Sequence, residues 1–509
     1  MEALNVAKET LRTVVSSMDD SAPVLIVGAG PAGLTAGYEL QRNGRRCVIL
    51  EAGEKVGGLA RTEEFKGYLF DIGGHRFFTK VKLIEDFWRD LLGNDFLSRP
   101  RLSRIFYRGQ FYQYPLEPRN ALRNLGLVEA ARCLFSYLKS VAAPVRPENT
   151  FDVWVSNRFG KRLFDIFFRS YTEKVWGMPC NEIQADWAAQ RIQGLSMWTL
   201  MKNHLLPRKR SGDVIKTLIH EFQYPRRGPG MMWEKCSQRL ELSGSRVRLK
   251  MPVNRIEWEE GRVTFVHASG CRFAAEHVIS TMPIRELIAS LDPAPPEAVR
   301  RAAERLRYRD FLTVALIIRQ KDLFPDNWIY VHDPGVKVAR IQNFKNWSPE
   351  MVPDPEMTCL GLEYFCFEHD GLWSMKDADL LELARVELSR LGLARSEDVV
   401  DGKVLRIPKA YPVYDSEYRE CLTIIREFLA GLPNLQVVGR NGMHRYNNQD
   451  HSMMTGILAA RNILGARYDL WRVNVDSEYQ EHGAELTEED FDRLESTQPY
   501  VPTSVAPGR

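Results

Sequence analysis

Apolar positions fall into two textures along the chain. Val24–Val27, Cys47–Leu50 and Gln436–Val438 are short, nearly unbroken apolar runs, which read as strands buried on both faces of a parallel sheet. Between the first two, Leu34–Arg42 carries the three- and four-residue spacing of an amphipathic helix, and about Ser452–Leu464 does the same near the far end. Near residue 100 the texture changes. Leu122–Val141, Phe151–Phe168 and Trp187–His204 show helical periodicity, with Pro144 and Pro147 separating the first two. Alternation rich in β-branched and aromatic residues then returns at Val247–Trp258, Gly261–Val266, His277–Ser280, Phe311–Arg319, Trp328–His332, Val338–Phe344 and Cys359–Phe367. This pattern predicts a leader over 1–20 and a discontinuous domain of 21–100, 215–285 and 405–465. A helical domain over 101–214, a sheet domain over 286–404 and an acidic tail over 466–509 complete it. There is no internal repeat.

The turn after the first strand carries the first chemistry. Gly28-Ala29-Gly30-Pro31-Ala32-Gly33 leads into the helix, and the second strand ends in Glu51. Gly28 permits a tight turn, Gly30 lets backbone approach a pyrophosphate, and Gly33 lets helix and strand pack closely. The helix N-terminus offers free N–H groups and the positive end of a dipole, and Glu51 stands where an acid holds ribose hydroxyls. A lone glycine motif also fits an ordinary βαβ turn. Here strand, turn, helix, strand and acid fall in order, and Gly57-Gly58-Leu59-Ala60-Arg61 adds a second glycine pair. That extension points to FAD bound in a Rossmann-like domain, with Gly58, Leu59 and Arg61 against it. The fold class expected is α/β, α+β overall. Gly73-Gly74-His75 and Gly228-Pro229-Gly230-Met231 are further glycine-rich turns, read either as loops or as backbone close to the flavin.

Composition excludes more than it selects. The 509 residues allow two or three domains, and 69 basic against 66 acidic residues leave a net charge of +3, without the basic excess of a nucleic-acid binder. The runs Arg208-Lys209-Arg210 and Arg226-Arg227 read first as solvated faces. Eight scattered cysteines contain no CxxC pair and no zinc spacing, so no metal site is expected. A reducing compartment is the expectation from these thiols. Without a signal-like N-terminus or a long apolar run, a cytoplasmic protein with no integral membrane segment is expected.

Four segments together resemble the UDP-galactopyranose mutases, particularly the longer eukaryotic type, within the amine-oxidase-like flavoproteins. They are Asp71-Ile72-Gly73-Gly74-His75, Phe168-Arg169-Ser170-Tyr171-Thr172-Glu173-Lys174-Val175-Trp176, Ile279-Ser280-Thr281-Met282-Pro283, and Gly439-Arg440 through Tyr446-Asn447-Asn448-Gln449-Asp450-His451-Ser452. The likeness runs from about residue 23 to about 465. It implies a reduced-FAD isomerase in which flavin N5 attacks the anomeric carbon of a nucleotide sugar. The sugar ring then opens and recloses between pyranose and furanose forms. NAD(P)H, for which no second dinucleotide motif is present, would use the substrate cleft transiently as reductant.

The resemblance also implies site roles. Arg169 and Arg340 match pyrophosphate arginines, the natural clamps for a diphosphate leaving group, and His75 lies at the flavin edge. Tyr330, Tyr411 and Tyr446 match tyrosines around the diphosphate, with Asn343 near Arg340 and Trp176 on the substrate-facing helix. Gly439, Arg440, Asn448, Gln449, Asp450 and Ser452 form the closing FAD motif. Blander readings stand beside these: Arg169 as a surface ion-pair residue, Trp176 and the tyrosines as packing, His75 as a buried, hydrogen-bonded histidine. One departure is chemical. Tyr114-Pro115-Leu116-Glu117-Pro118 keeps a tyrosine able to stack on a base but puts Glu117 where the family has a glutamine. A carboxylate only accepts hydrogen bonds, which suits guanine's N1–H and amino group better than uracil's carbonyls, so the base is open. The rivals are an oxidoreductase of the amine oxidase, phytoene desaturase or protoporphyrinogen oxidase type, and a flavin-holding protein without turnover. The helical segment is also a candidate for oligomer contacts.

Overall fold

The computed structural model describes residues 24–79, 81–114, 116, 118–185 and 221–473. The leader, Glu117, the Trp187–His204 segment, the Arg208-Lys209-Arg210 run and the tail beyond 473 lie outside the described residues.

The short apolar runs form one parallel sheet of five strands, in the spatial order Leu435–Val437, His277–Ser280, Val24–Val27, Val48–Leu50, Arg246–Arg248. Strand alternation divides two cores. Val24, Ile26, Cys47, Ile49 and Ile279 face the helices Pro31–Arg42, Lys82–Leu92, Gly230–Leu242 and Gln449–Ile463. Leu25, Val27, Val48, Leu50 and Val278 face the other way, onto the helices Ile284–Ser290, Glu297–Arg305 and Tyr418–Ala430 and a small mixed sheet. Both faces are covered, which is why these strands read as unbroken apolar runs.

A second sheet of seven strands runs in the order Val399–Pro412, Tyr308–Ile318, Thr358–Cys366, Arg340–Asn343, Trp328–Val331, Ser103–Tyr107, Gln110–Gln113. Its last two strands come from the stretch expected to be helical: Ser103–Tyr107 pairs in parallel with Trp328–Val331. Leu102 and Asn327 lock that junction, because the Leu102 N–H donates to Asn327 Oδ1 (2.8 Å) and the Asn327 N–H to the Leu102 carbonyl (2.9 Å). Helices do fill Pro118–Leu125, Leu127–Ala142 and Phe151–Phe159. One face of the seven-stranded sheet, carrying Leu312, Val314, Ile329, Ile341 and Leu362, packs against helix Asp377–Arg390. Its other face carries Trp328, Tyr330, Arg340, Gln342 and Glu363 and forms the wall of the candidate site. Among the described residues no helix is long and apolar enough to cross a membrane.

Candidate functional site

The glycine turn is built as a cradle for a phosphate. Gly28 has φ +98°, and a Cβ there would sit 2.0 Å from Thr281 Oγ1. A Cβ on Gly33 would sit 2.0 Å from the Gly28 carbonyl oxygen. Gly58 abuts the turn, its hypothetical Cβ 3.1 Å from the Gly30 Cα. Pro31 starts the helix, where a missing N–H costs nothing. Glu51 braces the loop, accepting from the Ala29 N–H (2.7 Å) and the Gly53 N–H (2.8 Å), with lone pairs left for hydroxyls. Arg61 donates to the Gly58 carbonyl (3.0 Å) and pairs with Glu63. Leu59 is partly buried against the apolar cluster that includes Ile72 and Phe311. Helix Gln449–Ile463 packs across the start of helix Pro31–Arg42. The helix crosses so close that a Cβ on Gly456 would lie 2.2 Å from the Ala32 carbonyl oxygen. Asn448 caps that helix, Asp450 is buried and accepts from Thr79 Oγ1 (3.2 Å), and Ser452 is buried. The Gln449 Oε1 is a buried acceptor without a hydrogen-bond partner among the described residues. These features suit a dinucleotide laid across two helix N-termini.

The Gly228–Gly230 turn sits against the hairpin Thr62–Asp71. Gly230 N–H donates to Thr62 Oγ1 (3.0 Å), and a Cβ on Gly230 would meet the Thr62 nitrogen at 2.5 Å. Met231 continues into the following helix, half-buried against the nucleotide-domain core. Beneath this turn Asp71 is fully enclosed and accepts from Tyr224 Oη (2.5 Å) and Thr62 Oγ1 (3.0 Å). Burial pushes its carboxyl up to about 7, although both hydroxyls favour the anion.

Arg340 and Glu363 are neighbours on adjacent strands and form an ion pair, Nε to Oε2, with the Glu363 side chain wholly enclosed. Gln342 Nε2 donates to the other oxygen of Glu363 (2.8 Å). Burial raises the Glu363 carboxyl against the pull of Arg340. Burial also opposes the Arg340 charge, but the Glu363 carboxylate more than offsets it, and Arg340 stays protonated. The Gly73 backbone rests on this pair: a Cβ there would lie 3.6 Å from Glu363 Oε1 and 3.8 Å from Arg340 Nη2. The exposed Gly74 backbone follows, and His75 is half-buried with Nδ1 3.1 Å from the Gly73 carbonyl. That contact places the proton on Nδ1 and leaves Nε2 as an acceptor. Burial, with Arg440 and Arg340 nearby, holds His75 down at about 4, so it is neutral at pH 7.

Aromatic hydroxyl groups surround Arg340. Tyr330 lies directly across from it, 5.0 Å from the Tyr114 ring and 5.6 Å, edge-on, from Tyr171. Tyr411 and Tyr446 stack 5.4 Å apart with the Arg440 guanidinium over both rings. Burial keeps the Tyr171 and Tyr411 phenols protonated, Tyr411 pushed up to about 12. Lys174 and Arg309 fix the Tyr171 helix. Lys174 Nζ donates to the carbonyls of Val331, Asp333 and Val338, at 3.1, 2.6 and 3.1 Å. Arg309, almost fully buried, donates to the carbonyls of Lys174 and Val175 at the helix C-terminus.

Three expected residues do not join this cluster. Arg169 stands two positions before Tyr171, so a helix turns it to nearly the opposite side. It is half-exposed, pairs with Asp165 at 2.6 Å and lies over the Phe164 ring. Trp176 is buried in the core of the helical segment. Asn343 has the wrong strand parity: Arg340 and Gln342 face the site, whereas the buried Asn343 turns away and its amide donates to the Phe324 carbonyl (3.3 Å). Glu117 lies outside the described residues.

Tyr171, Gln342, Glu363 and Arg101 join the wall without having been singled out for a site role. Glu363 had a signal, as a lone acid in an otherwise apolar nine-residue strand. Gln342 had one as well, two residues beyond Arg340. Arg101 had none. Its guanidinium lies 5.7 Å from the Tyr114 ring and 5.6 Å from the Trp328 ring. All three of its nitrogens are buried without a hydrogen-bond partner among the described residues.

Comparison with known proteins agrees with this cofactor architecture. The family profile of flavin-containing amine oxidoreductases matches residues 31–464. A solved structure of reduced UDP-galactopyranose mutase superposes with a TM-score of 0.76 at 23% identity, covering 87% of this chain and 96% of the other. A candidate protoporphyrinogen oxidase from Exiguobacterium sp. 255-15 gives 0.67 at 19% identity, covering 87% and 97%. At these identities the likeness concerns the fold. Among curated sequences, an L-amino-acid oxidase of Crotalus adamanteus is 29% identical over 162 residues, covering 29% of this chain and 30% of that protein. The match therefore spans under a third of that relative's length. The chain is a member of the flavin-containing amine oxidoreductase family and an FAD enzyme with its mixed α/β fold.

Proposed function

We propose that this protein is a reduced-FAD nucleotide-sugar mutase that interconverts pyranose and furanose ring forms. The observation that carries the reading is the chemistry of the wall beside the Gly73–His75 loop. Arg340, four tyrosines and Arg440 converge there, whereas hydride removal from an apolar substrate calls for an apolar cavity. Reduced flavin supplies the nucleophile for the anomeric carbon. The chain's part is to take up the charge that develops on the departing diphosphate. Arg340 offers a guanidinium whose Nε is fixed on Glu363, so little reorganisation is needed when the bond breaks. Tyr171, Tyr330, Tyr411 and Tyr446, with Tyr171 and Tyr411 kept in their phenol form by burial, supply hydroxyl donors. Neutral His75 presents Nε2 as an acceptor at the flavin edge without adding a charge. Tyr114 offers a stacking face for a base, and Arg101 beside it is a donor for an anionic or carbonyl oxygen. NAD(P)H is the candidate reductant.

A second reading rests on the L-amino-acid oxidase relatives. An arginine held as Arg340 is could equally grip an amino-acid carboxylate. One experiment separates them. The flavin is chemically reduced without oxygen, UDP-galactose in both ring forms and a panel of other nucleotide sugars are offered, and products are resolved by chromatography. Ring interconversion that vanishes with oxidised flavin supports the mutase. No conversion across the panel, with hydrogen peroxide released from L-amino acids by the oxidised enzyme in air, refutes it.

A further inference from the structure

The helical segment carries a surface unlike the rest of the chain. Of the thirteen large hydrophobic residues that are exposed among the described residues, eight lie between 122 and 145: Leu122, Leu127, Val128, Leu134, Phe135, Leu138, Val141 and Val145. Six of them, with Ala131 and Ala142, recur at three- and four-residue spacing along helix Leu127–Ala142 and so share one face. That face points away from the fold, because the helix packs inward through Cys133 and Tyr137 instead. Leu127 and Phe135 are 84% and 72% exposed. Contiguous exposed apolar surface of this kind marks an interaction site.

The charges around it say what the partner is. Residues 118–147 contain five cations, Arg119, Arg123, Arg132, Lys139 and Arg146, all exposed, against one acid, Glu129. That acid is already engaged by Arg162 and Arg132 of the same chain, and Arg146 pairs with Glu148 just beyond the segment, which leaves Arg119, Arg123 and Lys139 as the cations without an ion pair among the described residues. A second copy brought face to face would oppose cation to cation. A nucleic acid would leave the leucines and Phe135 in water. An anionic lipid surface satisfies both halves: apolar side chains enter the acyl boundary while Arg and Lys stems reach up to phosphate headgroups. We propose that helix Leu127–Ala142, with the preceding helix Pro118–Leu125, is a peripheral membrane-docking face selective for anionic lipid. The helix turns Cys133 into the same core that Tyr330 borders, so its exposed face looks away from that core.

The test uses the full FAD-loaded chain in flotation with vesicles of phosphatidylcholine alone and of phosphatidylcholine with phosphatidylglycerol. Light scattering of the free protein is measured alongside. Binding to the anionic vesicles alone, weakening as salt rises, is the expected result. Leu134→Ser with Phe135→Ser and Leu138→Ser lowers the partition constant by at least about tenfold. Arg132→Glu with Lys139→Glu abolishes the preference for anionic lipid. All five positions are exposed or half-exposed on the outer face, and retained flavin absorbance confirms that the variants fold. Binding to neither vesicle overturns the proposal. So does a dimer that the triple serine variant dissociates, which would assign the face to a second copy.

Discussion

Replacing Arg340 with methionine separates what this residue does for the fold from what it does for a ligand. In Arg340→Met the Glu363 carboxyl remains wholly enclosed, with Gln342 and the Gly74 backbone as its remaining donors. It escapes the uncompensated charge by taking a proton. For a glutamate of ordinary pKa that step costs roughly 3–4 kcal/mol at pH 7, in line with the ~3–5 kcal/mol found when one partner of a buried pair is removed. The sign with pH follows from the raised folded-state pKa. Below about pH 4 the unfolded state is protonated too and the penalty disappears. As pH rises, the unfolded chain releases a proton that the folded one retains, and stability falls. Denaturant unfolding of the FAD-loaded variant, followed by flavin fluorescence between acid and neutral pH, reads this out. Arg340→Met with Glu363→Gln then restores stability and removes the pH dependence, yet leaves the site without its guanidinium. Calorimetry on that stable double variant shows nucleoside diphosphate affinity lowered roughly 10- to 150-fold, the value of a charged hydrogen bond of about 1.5–3 kcal/mol. A single variant within about 0.5 kcal/mol of wild type, or a double variant that binds UDP and GDP as the wild type does, would falsify the argument.

Asp71→Asn acts on a different buried acid. Its folded-state value of about 7 lies above the ordinary 3.8, so the wild type loses stability as pH rises from 4 to 7, by roughly 4 kcal/mol. The asparagine variant lacks that slope in a melting series across pH. Gly28→Ala drives a methyl to 2.0 Å from Thr281 Oγ1 at φ +98°, and the protein loses its flavin on gel filtration; adding Thr281→Ala relieves only the clash, and full flavin recovery would contradict the backbone argument. Arg101→Gln weakens nucleoside diphosphate binding about tenfold or more, whereas Arg169→Gln, whose guanidinium is spent on Asp165, changes it less than about twofold. Equal losses from the two would refute the distinction.

Much of this molecule was legible before its structure because its signals are local. The glycine turn, its helix and Glu51 lie within a stretch of chain where backbone sterics dictate residue type, and the structure places them together. The sheet wall was legible only in part, because what decides it is parity and pairing between distant strands. Asn343 sits three residues from Arg340 and faces away, while Glu363 comes from another strand and holds Arg340 in place. The Phe168–Trp176 motif shows the same limit on a helix. As a string it singles out Arg169 and Trp176, but helical geometry puts Tyr171 against the sheet, Trp176 in the core and Arg169 on the rim. Ser103–Tyr107 was hidden by its helical neighbourhood, since joining the sheet depends on a parallel partner more than two hundred residues away.

The same reasoning bears on the choice between isomerase and oxidase. Both chemistries need the FAD cradle, so nothing in the glycine turn or the closing helix discriminates. What discriminates is how the wall manages charge. An arginine that served only to hold Glu363 would need no ring of phenols, and a carboxylate ligand small enough for an amino acid would not reach from Arg340 past Tyr330 to Tyr114. Yet Arg101, beyond that line of rings, holds a buried guanidinium with no hydrogen-bond partner among the described residues. A buried cation left unpaired is costly, and a ligand bearing acceptors along its length relieves that cost at Arg101 while reaching the Glu363-paired Arg340 at its other end. On the proposed mutase reading, the arrangement from Arg340 through Tyr330 and Tyr114 to Arg101 would take an extended, anionic, base-bearing substrate rather than a compact one. The affinity of Arg101→Gln for a nucleoside diphosphate, set against its affinity for a single L-amino acid, turns that preference into a measured ratio.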